Sequence, residues 1–211
     1  IMFANFTGCD DDPEYCEHAA RTDGDINNLG DELMAQLDEF KIIGTGGGKD
    51  KSGPSVTDLV FFRDAVSHVA RMTRILMQPR GNALLVGVGG SGRKSLARLA
   101  SFMSGATIKT IEVTSSYGMA EWREDIKNLL MTAGLGKRPL CFMLDDTQVV
   151  QESFLEDINS ILTSGEVLNI YESEDIEKIV SEARVGAETA SGSSCGREQI
   201  LNYYRSTVRN H

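Results

Sequence analysis

Two short stretches of the 211-residue chain carry side chains whose types and spacing could do chemistry. The first, residues 82 to 100, reads NALLVGVGGSGRKSLARLA. An apolar run leads into Gly87, Gly89, Gly90 and Gly92. Arg93, Lys94 and Ser95 follow, then apolar residues at helical spacing. Strand, glycine loop and helix in that order is the layout of a phosphate-binding loop. Backbone N–H groups cradle the oxygens, glycines permit positive φ and close approach, and the helix start adds its positive end. The interval from Gly87 to Gly92 fits the general pattern G-x-x-x-x-G-K-[ST]. The candidate cradle is therefore Gly87, Val88, Gly89, Gly90, Ser91, Gly92, Arg93, Lys94, Ser95 and Leu96.

The departures from that pattern decide what the loop could hold. In strict register Arg93 takes the lysine slot, and an arginine can grip phosphate with its planar fork. Lys94 then takes the slot of the Mg²⁺-binding hydroxyl, which a lysine cannot replace. Ser95, one step on, is the candidate magnesium ligand. A second register makes Lys94 and Ser95 the working pair, but it lengthens the loop by a residue and puts Arg93 where a glycine belongs. The strict register is preferred. A glycine turn with no ligand stays open as a third reading.

The second stretch is CFMLDDTQ, residues 141 to 148, an apolar strand ending in two acids. Beside a phosphate loop, the first acid, Asp145, is placed to hold Mg²⁺ through water. The second, Asp146, stands where a glutamate usually orients or activates the attacking water, and is one methylene shorter. Asp146 is thus the candidate catalytic residue. Ser95 and Asp145 are the candidate metal ligands. Taken alone, the acid pair would read as a turn cap.

The surrounding elements must position these groups. Ala83 to Val86 is a short unbroken apolar run, which predicts a strand buried on both faces. A helix with Leu96, Leu99 and Met103 on one side follows. TIKTIEV, residues 107 to 113, predicts a second strand, and PLCFML, residues 139 to 144, a third. Between them Trp122, Ile126, Leu129, Leu130 and Ala133 form a helical stripe, ended by Gly134 and Gly136. Ser153-x-x-Glu156 predicts a capping box for a helix carrying Phe154, Leu155, Ile158, Ile161 and Leu162, with Gly165 as its stop. Strands separated by helices predict a mostly parallel sheet with right-handed crossovers.

Outside this core, Ile26, Leu29, Leu33, Leu37 and Phe40 predict an amphipathic helix over 26 to 41. GTGGGKDKSGPS, residues 44 to 55, reads as a flexible linker: its lysine is followed by Asp50 and its glycine spacing is wrong for phosphate. A helix over 57 to 77, with Phe62, Val66, Val69, Thr73 and Leu76 on one stripe, is stopped by Pro79 and Gly81. Arg63, Arg71 and Arg74 fall on its solvent faces. The tail predicts helices over about 173 to 185 and 197 to 209, joined by a loop GAETASGSSCG. Tyr117, Glu121 and Trp122, where the second strand ends, read as core or cap residues.

Composition sets the outer limits. The chain is 41% hydrophobic and 25% charged, ordinary for a globular domain. A net charge of −10 argues against a nucleic-acid backbone as partner. No apolar run reaches the roughly 18 residues of a membrane span, and the N-terminus lacks a signal-peptide pattern. Cys9, Cys16, Cys141 and Cys195 form no CxxC pair, which suits a reducing compartment with Cys141 as a buried thiol. Cys9, Cys16 and His18 lack the fourth ligand of a closed metal site. His18, His68 and His211 lack the partners of a catalytic triad. The chain starts at Ile1, the mark of processing or of a piece of something longer.

With these residues in hand, a family resemblance follows. PRGNALLVGVGGSGRKSLARLASFM, YGMAEWREDIKNLLMTAGL and FMLDDTQVVQESFLEDINSILTSGEVLNIY resemble the fourth AAA+ module of dynein heavy chains, most of all axonemal ones of the inner-arm type. The similarity runs from about Leu59 to Tyr171. IMFANF and the helix at 57 to 77 resemble the lead-in to that module, and the tail resembles it loosely. In the axonemal relatives the loop commonly reads G-V-G-G-S-G-[KR]-Q-S-L. Arg93 and Ser95 therefore fall within the pattern, while Lys94 replaces a glutamine.

What the resemblance implies is an α/β fold: a P-loop NTPase AAA+ large subdomain, its parallel sheet flanked by helices in the order 5-1-4-3-2. The chain would supply strands 1, 2 and 3 and end before the sensor I strand, as a fragment of a larger protein. Its domains would be 1–56, a leading segment with an acidic loop, a helix and the glycine linker; 57–171, the AAA+ core; and 172–211, a helical tail. The implied ligands are ATP or ADP with Mg²⁺, at a regulatory site with weak or no hydrolysis. Leu59, Val60 and Phe61 would line an adenine pocket. The implied partners are neighbouring AAA+ modules of the same heavy chain, a microtubule through the parent motor ATPase, and dynein intermediate and light chains. The implied location is the cytoplasm and cytoskeleton, in the axoneme of a cilium or flagellum. Two other functions stay in view: a degenerate, purely structural module of the ring, and a free-standing P-loop ATPase or kinase.

Overall fold

A computed structural model of the chain describes residues 2–4, 18–20, 23–46, 61–136 and 138–210. The acidic segment with Cys9 and Cys16, the linker from residue 47 to 55, and Leu59 and Val60 lie outside the described residues. The chain folds as two compact units, residues 1–106 and 107–211.

The first unit is a helical cluster. Strands β1 (Met2–Ala4) and β2 (His18–Ala20) form an antiparallel ribbon, with Phe3 opposite Ala19. Helices α1 (Asp23–Gly46), α2 (Arg63–Leu76) and α3 (Arg93–Met103) follow. Leu29, Leu33 and Leu37 repeat every four residues along α1. They meet Val66, Val69, Ala70 and Met72 of α2 and Leu96, Leu99 and Ala100 of α3. These side chains are buried, and removing that apolar area from water is the main force holding the three helices. Phe40 packs on Phe102 with ring centroids 5.1 Å apart. The α2 stripe is buried at Val66, Val69 and Thr73, but Phe62 stands outside it, extended at the N-cap and exposed. Arg63, Arg71 and Arg74 are exposed, as their faces require. Pro79 and Gly81 do end α2. A side chain at Gly81 would press into the Ile75 carbonyl, its Cβ 1.8 Å from that oxygen.

The first unit corrects one expectation. Residues 83 to 86 are not a strand buried on both faces. They form no ladder with any described strand, and Leu84, Val86 and Val88 are 89%, 85% and 78% exposed. An extended run keeps strand geometry only where neighbours satisfy its N–H and C=O groups, and none of the described strands does so here. α1 also runs on through Gly46, into the segment read as linker.

The second unit carries the parallel pairing. β3 (Thr107–Lys109) and β4 (Leu140–Phe142) lie parallel, with Ile108 opposite Cys141. Helix α4 (Met119–Leu135) is the crossover between them. The second and third predicted strands thus become neighbours, each shorter than read. Ile111, Tyr117, Trp122, Ile126, Leu130, Phe154, Val167 and Ile170 form the core. Trp122 stacks flat on Phe154 (centroids 4.3 Å apart), and its indole N–H donates to buried Asp157 at 3.0 Å. Helices α5 (Ser153–Ser164), α6 (Ser173–Ser191) and α7 (Arg197–Asn210) complete the unit. Ile179, Ala183 and Ala187 of α6 pack with Ile200 and Tyr204 of α7.

Several details differ from the reading of the residues. The Ser153 hydroxyl contacts the Met119 sulfur instead of capping α5, because Glu152, not Ser153, is the N-cap. Leu155 and Leu162 are half exposed, since they fall off the stripe that Phe154, Ile158 and Ile161 present to the core. Residues 186 to 191 continue α6, and Gly192 at φ 68° is the actual stop. Gly134 lies inside α4, facing Tyr204, while Gly136 is the cap. Cys141 is half-buried. Gly165 closes α5 in the left-handed conformation, as its position suggested.

Candidate functional site

The loop belongs to the first unit and the acidic turn to the second. In the loop, Gly90 and Gly92 have φ of 77° and 74°. That region is open to glycine at no steric cost. Gly92 is the N-cap of α3, without a side-chain cap, and the first intrahelical bond runs from Leu96 N–H to the Gly92 carbonyl at 2.9 Å. The amides of Arg93 and Ser95 precede that bond, so the helix supplies them no acceptor. No acid stands in the first turn. A Cβ added at Gly89, Gly90 or Gly92 would meet nothing within 4 Å. Glycines, donors and an open face fit an anion such as a nucleotide phosphate.

The side chains of the loop are less simply arranged. Arg93 turns back across the loop and donates to the Leu85 carbonyl at 3.3 Å and the Val88 carbonyl at 3.2 Å. Its stem fills the space beside Gly87, where a Cβ would lie 3.4 Å from Arg93 Cδ and 3.5 Å from Ser91 Oγ. Two of the five guanidinium N–H groups thus brace the loop, and three remain. Val88, Ser91 and Lys94 are exposed, Ser95 is half-buried and Leu96 faces the core. α3 starts at Arg93, so Ser95 is its third residue.

The acidic turn sits just past β4. Asp145 is extended, and residues 146–148 form a single 3-10 turn. The Thr147 hydroxyl donates to Asp145 Oδ2 at 3.0 Å, and the Thr147 amide donates to Asp146 Oδ1 at 2.9 Å. Gln148 closes the turn: its Oε1 accepts from the Asp145 amide at 2.7 Å, and its Nε2 donates to the Ile111 carbonyl beyond β3. Among the described residues no group of three or more His, Cys, Asp or Glu side chains gathers to hold a metal. Asp145 and Asp146 therefore form no closed cage. They suit a cation that takes most of its ligands from phosphate and water, as Mg²⁺ does.

Thr147 and Gln148 were not singled out as site residues by sequence reasoning. A signal was present: Asp145-x-x-Gln148 has capping-box spacing, masked by the attention the acids draw. Tyr117, Glu121 and Trp122 serve as core and cap, with Glu121 accepting from the Gly118 amide at 3.0 Å. Burial, then the hydrogen bond to Asp125, holds the Tyr117 hydroxyl well above the usual phenol range. Phe61 packs against the first unit's core.

Residues 57–211 match the family described as the P-loop containing dynein motor region D4. The match takes in the tail helices as well as the loop and the acids. The chain is 49% identical over 166 residues, 79% of its length, to the dynein-1-beta heavy chain of the flagellar inner arm I1 complex of Chlamydomonas reinhardtii. It is 39% identical over 185 residues, 88% of its length, to human dynein axonemal heavy chain 6. To human dynein axonemal heavy chain 2 it is 53% identical over 130 residues, 61% of its length. It spans only 3% or 4% of the length of each.

Proposed function

The chain belongs to the dynein heavy chains, in the P-loop motor region D4 with its α/β AAA+ fold, and from that premise we propose that it is a nucleotide-binding regulatory module. The loop at 87–96 holds the phosphates of ATP or ADP through backbone amides, with Arg93 adding charge. Ser95 and, through water, Asp145 serve Mg²⁺. When bound, the ion neutralises phosphate charge. Asp146 orients water, and its short side chain makes hydrolysis weak or absent. Residues 57–171 carry this chemistry. Residues 1–56 lead into it and 172–211 extend it with helices.

The observation that carries the reading is the loop itself: left-handed Gly90 and Gly92 running straight into the uncapped start of α3, with open space over three glycines. The parent chain, in the same reading, is a microtubule motor ATPase. The module's partners are neighbouring AAA+ modules, with intermediate and light chains in the complex, and its place is the axoneme of a cilium or flagellum. The relatives' names, axonemal and flagellar heavy chains, support that placement.

The test is hydrogen exchange on the full-length chain, read in the peptide covering residues 85–97. Mg²⁺ with ATP or ADP should slow exchange there. No slowing at any nucleotide concentration would refute the proposal. One observation favours a second reading, that of a purely structural module: Arg93 is already engaged by two loop carbonyls. In that case Arg93→Ala would loosen the loop without altering any nucleotide response.

A further inference from the structure

Gln148 ties the acidic turn to the neighbouring strand segment. Its carboxamide uses both ends. Oε1 accepts from the Asp145 backbone N–H, and Nε2 donates to the Ile111 carbonyl. Asp145 follows β4 by three residues and Ile111 follows β3 by two. Gln148 therefore joins the carboxyl ends of the two parallel strands just where their ladder has stopped. The last ladder contact is the Met143 amide on the Lys109 carbonyl at 2.9 Å. Ile111 is buried and Gln148 half-buried, so the amide works where water competes weakly. Thr147 completes the arrangement by donating its hydroxyl to Asp145 and its amide to Asp146.

We propose that Gln148 is a positioning residue for the magnesium function of the acidic turn: it fixes the Asp145 backbone, and through the 3-10 turn the direction of both carboxylates. The proposal rests on the nucleotide reading above. Gln148 touches neither ion nor phosphate. Its effect is to keep the acids aligned before the cation arrives, so that binding need not order the turn.

The test is hydrogen exchange in the full-length chain, followed in the peptide Met143–Val150, for the unaltered protein and for Gln148→Met. Methionine keeps the length and the apolar stem and removes both hydrogen bonds. With no nucleotide present, the variant should exchange faster at Asp145. With saturating ADP, the Mg²⁺ concentration that half-protects the peptide should rise roughly tenfold or more, as loss of an outer partner to a metal ligand does. The ADP needed at saturating Mg²⁺ should change far less. Faster exchange with an unmoved Mg²⁺ midpoint would make Gln148 structural only and overturn the inference. A peptide never protected by Mg²⁺ and ADP in the unaltered protein would instead overturn the nucleotide reading, and the inference with it. Should Gln148→Met also loosen the Trp122–Leu130 peptide, Gln148→Asn takes its place. It keeps the amide but is one methylene too short to reach both partners, so the same Mg²⁺ shift is expected, and its absence is equally decisive.

Discussion

Replacing Gly134 with alanine should destabilise the chain, although it improves the helix. Gly134 lies inside α4, where alanine gains about 1 kcal/mol over glycine in propensity. The new methyl, however, would sit 2.1 Å from Cε2 of Tyr204, 2.5 Å from Cδ2 and 2.8 Å from Cζ. Tyr204 is 4% exposed, and its hydroxyl is 2.7 Å from that of Tyr171. The ring can yield only by leaving its edge-on contact with Tyr171 and giving up that hydrogen bond. Overpacking costs about 1 to 3 kcal/mol, and a lost hydrogen bond about 0.5 to 1.5 kcal/mol. After the propensity gain, a net loss of about 0.5 to 3.5 kcal/mol remains. Urea unfolding of the 211-residue chain, followed by the fluorescence of Trp122, its single tryptophan, measures it. Adding Tyr204→Leu should make the pair cost less than the sum of the two. A higher midpoint for Gly134→Ala would refute the reasoning, since it would show that no ring lies against α4.

Three further outcomes are expected. Asp157→Ala leaves the buried Trp122 indole N–H without its acceptor and should lower unfolding free energy by about 1 to 3 kcal/mol, with a shifted Trp122 emission. Thr73→Val should raise the melting temperature, because the Thr73 hydroxyl is fully buried with no partner among the described residues, and such a group carries a desolvation cost; a lower melting temperature would mean that the hydroxyl is satisfied. Tyr117, Tyr171 and Tyr204 are all held above the usual phenol range, chiefly by burial. They keep their protons in the fold where the unfolded chain loses them near pH 10. Their stabilisation is therefore complete below pH 10 and falls as pH rises above it, so phenolate absorbance and helix loss should appear together in an alkaline titration.

Much of the fold was legible where one periodicity governs one surface. Leu29, Leu33 and Leu37, the α3 stripe, and Trp122 with Ile126 all face a core, as their spacing predicts. The stops at Gly81 and Gly165 were legible because each demands a conformation or a closeness only glycine tolerates. What depends on distant partners was not. The apolar run at 83 to 86 announces a strand, but a strand needs a neighbour, and hydrophobicity does not name one. Gly134 resembles a helix stop until Tyr204, seventy residues away along the chain, is seen against it. The site divides the same way. The glycines and acids were visible as residue types. The fold of Arg93 onto the Leu85 and Val88 carbonyls, and the span of Gln148 to Ile111, were not, because side-chain direction is settled by backbone atoms no spacing rule locates.

The central claim, that residues 87–96 cradle a nucleotide, is tested most directly by a cryo-electron microscopy map of the full-length chain with Mg²⁺ and ATP or ADP, beside the same map for Gly89→Ala. Gly89 has no left-handed strain and nothing within 4 Å of an added Cβ, so the substitution leaves the fold alone and obstructs only what approaches from outside. The account predicts phosphate density against the amides of Gly89 to Ser95 in the unaltered chain, and its loss in the variant. A loop without nucleotide density in the unaltered chain, at millimolar Mg²⁺ and nucleotide, would contradict it.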